Sequence, residues 1–208
     1  PSSAASDVYK RQLPWPGHIS VADLPTLTVE VAAKAARSFP DGTGLGWDKL
    51  HPKSVLRCGD EAILAFVRIL ILAETLGHWP QLVGSVIICL LPKDDGGRRP
   101  IGLLPMAIRW WMRMRLDVVR TWQTQHERPY FYAGKLKGAT VAAWKQAACA
   151  ELATASDMFH YAAVLLDLVK CFERVPLDWL VRQGKRYSYP MAILRLCIAA
   201  YRIGRAIG

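Results

Sequence analysis

The sequence predicts an α+β fold that is mostly helical, with one β-hairpin and one or two further strands. Three observations carry this. Apolar residues recur at helical spacing through Asp60–Gly77 and Met106–Gln123. A short β-branched run, Val83 to Leu91, is joined by a turn to a second apolar stretch, Pro100 to Leu104. A third apolar run, Tyr161 to Leu166, has strand length and ends in a carboxylate, Asp167. With 208 residues, 52% of them hydrophobic, the chain has material for a sizeable core.

The elements follow in order. Pro1–Gln12 resembles an in-frame translation of a sequencing-library adapter and is set aside from fold reasoning. Together with the abrupt stop at Ile207–Gly208, it leads us to expect a fragment with both native ends missing. Thr28 to Arg37 reads as a short helix capped by Thr26 or Thr28. The turn-rich stretch from Phe39 to Asp48 is either an ordered glycine-rich turn or a flexible link. In the helix that follows, Ile63, Phe66, Val67, Leu70 and Leu76 hold helical spacing, and Gly77 stands where a C-cap glycine belongs.

Asp94-Asp95-Gly96-Gly97 turns the hairpin, expected over residues 83–104, and leaves Lys93 on one side of its tip and Arg98 and Arg99 on the other. One long helix is expected from Met106 to Gln123. At about 100° per residue it gathers Arg109, Arg113 and Arg120 in a stripe, while Trp110, Trp111, Met114, Val118 and Trp122 cover the other faces. A turn from Tyr132 to Gly138 leads to an alanine-rich helix, Thr140 to Thr154, then the apolar strand ending at Asp167. A last helix spans Met191 to Tyr201.

Charge narrows the partners. Lys and Arg number 27 against 17 Asp and Glu, a net charge of +10 and a pI of about 9.6, as expected of a protein that meets a phosphate backbone. No apolar run approaches the roughly 20 residues of a spanning helix, since Ala62–Leu72 is already broken by Arg68. We expect no membrane partner. Five cysteines, 58, 89, 149, 171 and 197, are odd in number and lack CxxC spacing, so each is expected to be a small buried apolar residue. Free thiols and the lack of a signal-like segment point to an intracellular protein.

Two clusters can carry chemistry. A carboxylate ending a buried strand needs water, a cation or a hydrogen-bond donor. For Asp167 two readings stay open: a metal ligand, or an N-cap of the segment after it. At the hairpin tip, Lys93 supplies a mobile point charge and Arg99 a planar donor fork, the pair that a triphosphate requires. The alternative there is a solvated charged turn.

The stretch Ala163-Val164-Leu165-Leu166-Asp167-Leu168-Val169-Lys170-Cys171-Phe172-Glu173-Arg174-Val175-Pro176 resembles the first palm motif of reverse transcriptases, an apolar strand running into Asp-Leu-x-Lys-x-Phe-Asp-x-Val. Leu90-Leu91-Pro92-Lys93-Asp94-Asp95-Gly96-Gly97-Arg98-Arg99-Pro100-Ile101-Gly102-Leu103 resembles the fingers hairpin of the same family. Phe39-Pro40-Asp41-Gly42 is similar to the Pro-Asp-Gly turn before the fingers of the non-LTR retrotransposon class, and Gly134-x3-Gly138-x-Thr140 to the glycine-rich turn before the palm motif. Four matches in the family's order weigh more than any one.

The resemblance implies an incomplete right-hand polymerase: an N-terminal helical extension and the start of the fingers over 13–80, fingers over 81–140, and a truncated start of the palm, with the first catalytic motif and the helix after it, over 141–208. It implies Asp167 as a catalytic magnesium (Mg2+) ligand with the Leu168 carbonyl as a possible second contact, and Phe172 as the gate against a 2′-hydroxyl. It also implies Lys93 and Arg99 as nucleotide-binding residues. Arg98, Arg109, Arg113, Arg120, Lys135 and Lys137 are then the groups expected to meet an RNA template and DNA primer, with deoxynucleoside triphosphates as substrate. Glu173 departs from the family's usual Asp. No counterpart of the paired-aspartate hairpin is present, and one carboxylate cannot position two magnesium ions, so the 208 residues are expected to be inactive alone. A non-catalytic RNA-binding module, a decayed element copy and an RNA-dependent RNA polymerase are the alternatives.

Overall fold

The computed structural model describes residues 13–133, 137–156, 160–164, 166 and 174–207. They form a mixed α+β structure, about half helical, with a small three-stranded sheet. The chain divides into two compact units, one of residues 1–121 and 176–208, the other of 122–175.

In the larger unit, helix α1 (Val29–Arg37) begins where the Thr28 hydroxyl accepts the Val31 N–H, which satisfies one of the orphan donors of the first turn. Its acidic Glu30 lies in the first turn and its basic Lys34 and Arg37 in the last, each matched to the helix dipole. Ala32, Ala33, Ala35 and Ala36 are buried, and these small side chains let another backbone or ring come close. The Trp110 indole uses that space, donating to the Ala32 carbonyl at 2.8 Å.

Helix α2 (Asp60–Leu76) buries Ile63, Val67, Leu70, Ala73 and Glu74, a 3.6-residue stripe. Phe66 and Leu76, on the same spacing in sequence, stand exposed on its other side. Gly77 ends α2 with φ at 73°, and a side chain there would collide with Arg195, whose Nε would lie 2.1 Å from an added Cβ. The Arg195 guanidinium occupies that position and donates to the last carbonyls of the helix, those of Glu74 and Thr75, at 2.9 and 3.0 Å.

Strands β1 (Val86–Pro92) and β2 (Arg98–Leu103) form the expected antiparallel hairpin, in register from Ile87 opposite Leu103 to Pro92 opposite Arg98. The third strand was not foreseen. It is β3 (Arg205–Ile207), which pairs in parallel with Val86–Ile88 and gives the order β2-β1-β3.

The single helix expected over Met106–Gln123 is instead two, α3 (Met106–Met114) and α4 (Leu116–Gln125), interrupted at Arg115. The residue at the interruption carries a heavily engaged side chain. Its guanidinium is buried and clamps Glu74 with two 2.6 Å hydrogen bonds, Nε to Oε1 and NH2 to Oε2, while NH1 donates to the Pro25 carbonyl. The Trp111 indole adds a third donor to Glu74 Oε1 at 2.6 Å. The Arg115 backbone stays right-handed at φ −88° and ψ −1°, and its N–H still donates to the Trp111 carbonyl at 3.0 Å, so the interruption is slight.

Around the pair lies the core: Ile108, Trp110, Trp111, Val67, Ile193 and Leu196, all fully buried. Trp79 meets Trp111 edge to face at 5.5 Å and donates to the Leu196 carbonyl of the closing helix, Met191–Tyr201. A further helix, Leu177–Arg186, packs Val181 against Leu194 and Ile198 in a small second cluster. That helix was missed, although its Pro176 boundary and Asp178 in the first turn carry start signals.

The smaller unit holds the alanine-rich helix, Ala139–Thr154, none of whose residues is buried. The apolar strand expected over Tyr161–Leu166 is not formed: residues 160–164 and 166 are in no strand and are exposed, Val164 and Leu166 at 80% and 85%. The physical reason is partnership, because an extended run becomes a strand only where a neighbour takes up its backbone hydrogen bonds, and the described sheet consists of other segments. The cysteine expectation also needs correction. Cys58 and Cys149 are exposed and Cys89 and Cys197 half-buried, all free thiols, while Cys171 lies outside the described residues. Burial pushes the Cys197 thiol up to about 11.

Two measurements follow. Because removing one member of a buried pair leaves the other uncompensated, Glu74→Ala and Arg115→Ala are each expected to lower unfolding free energy by about 3–5 kcal/mol, read from urea midpoints; a loss below about 1 kcal/mol would show the pair to be dispensable. Iodoacetamide labelling near the ordinary thiol pKa of about 8.5 is expected to modify Cys58 and Cys149 first and Cys197 last, followed by mass spectrometry. Equal rates would contradict the burial of Cys197.

Candidate nucleotide and nucleic-acid interface

The hairpin tip is built by three residues, Asp94 to Gly96. The Gly96 N–H donates to the Lys93 carbonyl at 3.1 Å and the Lys93 N–H to the Gly97 carbonyl at 2.9 Å. Gly96 takes φ of 79°, the left-handed position that this loop type reserves for glycine. The Asp95 carboxylate accepts the Gly97 N–H at 2.9 Å and so fixes the turn from within.

Register then decides which charges face together. Leu91 is opposite Arg99, and Lys93 lies two residues beyond Leu91, so Lys93 and Arg99 share one face while Arg98, opposite Pro92, lies on the other. Diagonal neighbours of this kind stand about 7–8 Å apart at Cβ. Lys93 and Arg99 line an open concavity of about 490 Å³ with Leu91, Pro92, Asp94 and Asp95. All three basic side chains of the tip are exposed. Chemically, the concavity offers a cationic pair able to grip a polyphosphate, tempered by two carboxylates that would favour a metal-bound form of it.

Behind the hairpin, the glycine-rich loop is ordered. Asp48 is its anchor: one carboxylate oxygen accepts the Leu50 N–H and the other the Met106 N–H at 2.7 Å, which caps α3 from a distance in sequence. Gly46 lies so close to the Leu104 carbonyl that a Cβ would meet it at 2.8 Å. Trp47 donates to the Val83 carbonyl and lies flat against Gly84, whose φ is 77°. His51 reaches the Pro40 carbonyl, and Lys53 pairs with Asp41.

The arginine stripe separates into parts. Arg109 turns inward, donating to the Gly44 carbonyl at 2.5 Å and lying 5.7 Å from the centre of the buried Phe39 ring. Burial pulls its guanidinium pKa below the ordinary value, an effect the Asp48 carboxylate opposes and the Arg113 charge reinforces. Arg109 therefore holds the loop with one of its donors. Arg113 stacks over the same ring at 4.7 Å, and Arg120 is exposed beside Asp117 at 3.6 Å. In the smaller unit Lys137 pairs with Glu127 at 2.5 Å.

Asp167, Leu168, Phe172 and Lys135 lie outside the described residues. Among the described residues no group of three His, Cys, Asp or Glu side chains could hold a metal ion, and no helix is long and apolar enough to cross a membrane. Lys34, which joins Arg113 and Arg120 in one concavity, was missed by sequence reasoning because the stripe was sought on a single helix. Neither the protein-family models nor the curated proteins contain a match to this sequence.

Asp48→Ala is expected to cost about 0.5–2 kcal/mol, the range of a lost helix cap, with Asp48→Asn recovering part of it in urea unfolding. Equal stability of Asp48→Ala and the parent would mean the loop does not cap α3.

Proposed function

We propose that this chain is the fingers and first palm motif of an RNA-directed DNA polymerase of the non-LTR retrotransposon type. The observation that carries the reading is the placement of Lys93 and Arg99 on one face of an antiparallel hairpin, around an open concavity at its tip. Those are the cation types, a mobile point charge and a planar donor fork, that suit the phosphates of a nucleotide. The net charge of +10 and the motif order support the same reading.

In the intact polymerase, Asp167 and the Leu168 carbonyl would contribute to holding magnesium, which supplies activation of the 3′-hydroxyl and neutralises the leaving pyrophosphate. Lys93 and Arg99 orient the incoming deoxynucleoside triphosphate, Phe172 excludes a 2′-hydroxyl, and Arg98, Arg113, Arg120, Lys135 and Lys137 meet template RNA and primer. A non-catalytic RNA-binding role is the second reading, favoured by the exposed, unpaired run Tyr161–Val164 that precedes Asp167.

Primer extension separates the two. In the intact polymerase, Asp167→Ala is expected to abolish magnesium-dependent extension with RNA binding unchanged, whereas undiminished extension would leave only the binding role. Lys93→Ala and Arg99→Ala are each expected to weaken triphosphate binding about tenfold or more, the worth of one charge-assisted hydrogen bond. The 208 residues alone are expected to extend no primer.

A further inference from the structure

We propose that the concavity between α1 and the α3–α4 junction seats a phosphodiester group of a single nucleic-acid strand, held by Lys34, Arg113 and Arg120. Its walls come from residues distant in sequence, Val31 and Lys34 on α1 and Arg113, Met114, Asp117 and Arg120 on the other side, and it encloses about 280 Å³. Three cations thus converge with one carboxylate. That carboxylate, Asp117, is spent on Arg120 at 3.6 Å in a pair whose side chains are 80% and 64% exposed, so the pair is weak and readily exchanged for another anion. Lys34 and Arg113 form no ion pair among the described residues.

Arg113 is also held in advance of any ligand. Its guanidinium is stacked on the buried Phe39 ring at 4.7 Å, an arrangement that satisfies the flat face of the fork and consumes none of its five donors. Val31 and Met114 add apolar lining beside the cations. The volume argues for the class of ligand. Pockets that enclose a whole small molecule run to about 300–1,000 Å³, and this one, smaller and open, suits one backbone unit of a polymer lying across it. Such a seat reads charge and spacing and carries no base information.

The inference borrows from the proposed function only the choice of a nucleic-acid polymer, and its test does not involve polymerisation. Binding of a fluorescent single-stranded RNA oligomer to the 208-residue protein is measured against salt concentration. Lys34→Ala and Arg120→Ala are each expected to reduce the slope of log affinity against log salt by about 0.7–1. Both residues are exposed, so the fold is retained, which unfolding midpoints verify. Arg182→Ala, which removes an equal exposed charge from a residue that does not line the concavity, is the reference and is expected to leave the slope unchanged.

Equal slopes for all three variants and the parent, or equal losses in all three, would overturn the seat in favour of diffuse attraction to a cationic surface. An oligomer with an uncharged backbone is expected to bind the parent and the Lys34 and Arg120 variants alike; a selective loss there would mean these residues act through something other than phosphate. Failure of the seat with Lys93 and Arg99 still gripping a triphosphate would leave the polymerase reading standing, and the reverse outcome would leave the seat standing.

Discussion

The structure of the larger unit depends on one buried ion pair. Glu74 is 1% exposed, and the energy of moving a lone carboxylate to that position would exceed anything the surrounding apolar contacts return. Three donors make the position tenable: two from Arg115 and one from the Trp111 indole. Each donor arrives on the α3–α4 segment, and Arg115 also reaches back to the Pro25 carbonyl. A single carboxylate therefore fixes α2, the α3–α4 junction and the segment that leads into α1. The slight interruption between α3 and α4 falls at the residue that satisfies it.

The interface elements are positioned by that frame. α3 is capped by Asp48, so the glycine-rich loop is tied to the helix that carries Trp110 and Trp111. The same loop receives Arg109 at Gly44 and places Phe39 under two guanidinium groups. The tryptophan that closes the loop, Trp47, rests on Gly84 just ahead of β1, and β1 carries the hairpin whose tip bears Lys93 and Arg99. The chain of contacts from the buried pair to the cationic tip is continuous and short, so the orientation of the hairpin base is set by the core.

Legibility in the sequence tracked how local each determinant is. The helix from Asp60 to Leu76, with its Gly77 cap, and the hairpin around Asp94–Gly97 were readable because periodicity, turn chemistry and capping all act within a few residues. The facing of Lys93 with Arg99 followed from the same hairpin register. What was not legible depended on partners far away in the chain. Arg115 looked like one more residue of a continuous helix, since nothing in its neighbourhood announces Glu74. Arg109 looked like a surface cation, since its acceptor at Gly44 lies in another element. Tyr161–Leu166 has the composition of a strand, and composition cannot say whether a neighbour is there to pair with it. β3, three exposed residues with no pattern of its own, exists only because β1 offers an edge.

The bond from Trp79 to the Leu196 carbonyl joins residues 117 positions apart, and it bears on how the protein comes off the ribosome. While Met191–Tyr201 is still inside the exit tunnel, the nascent chain has already displayed α2, the hairpin and the tryptophans of α3, yet it lacks the helix that covers Trp79. Loop closure over that span is slow compared with local hairpin formation. A growing chain would thus pass through a period of synthesis in which large aromatic surface is uncovered, an attractive target for a holding chaperone and a hazard wherever translation stalls before the closing helix has emerged.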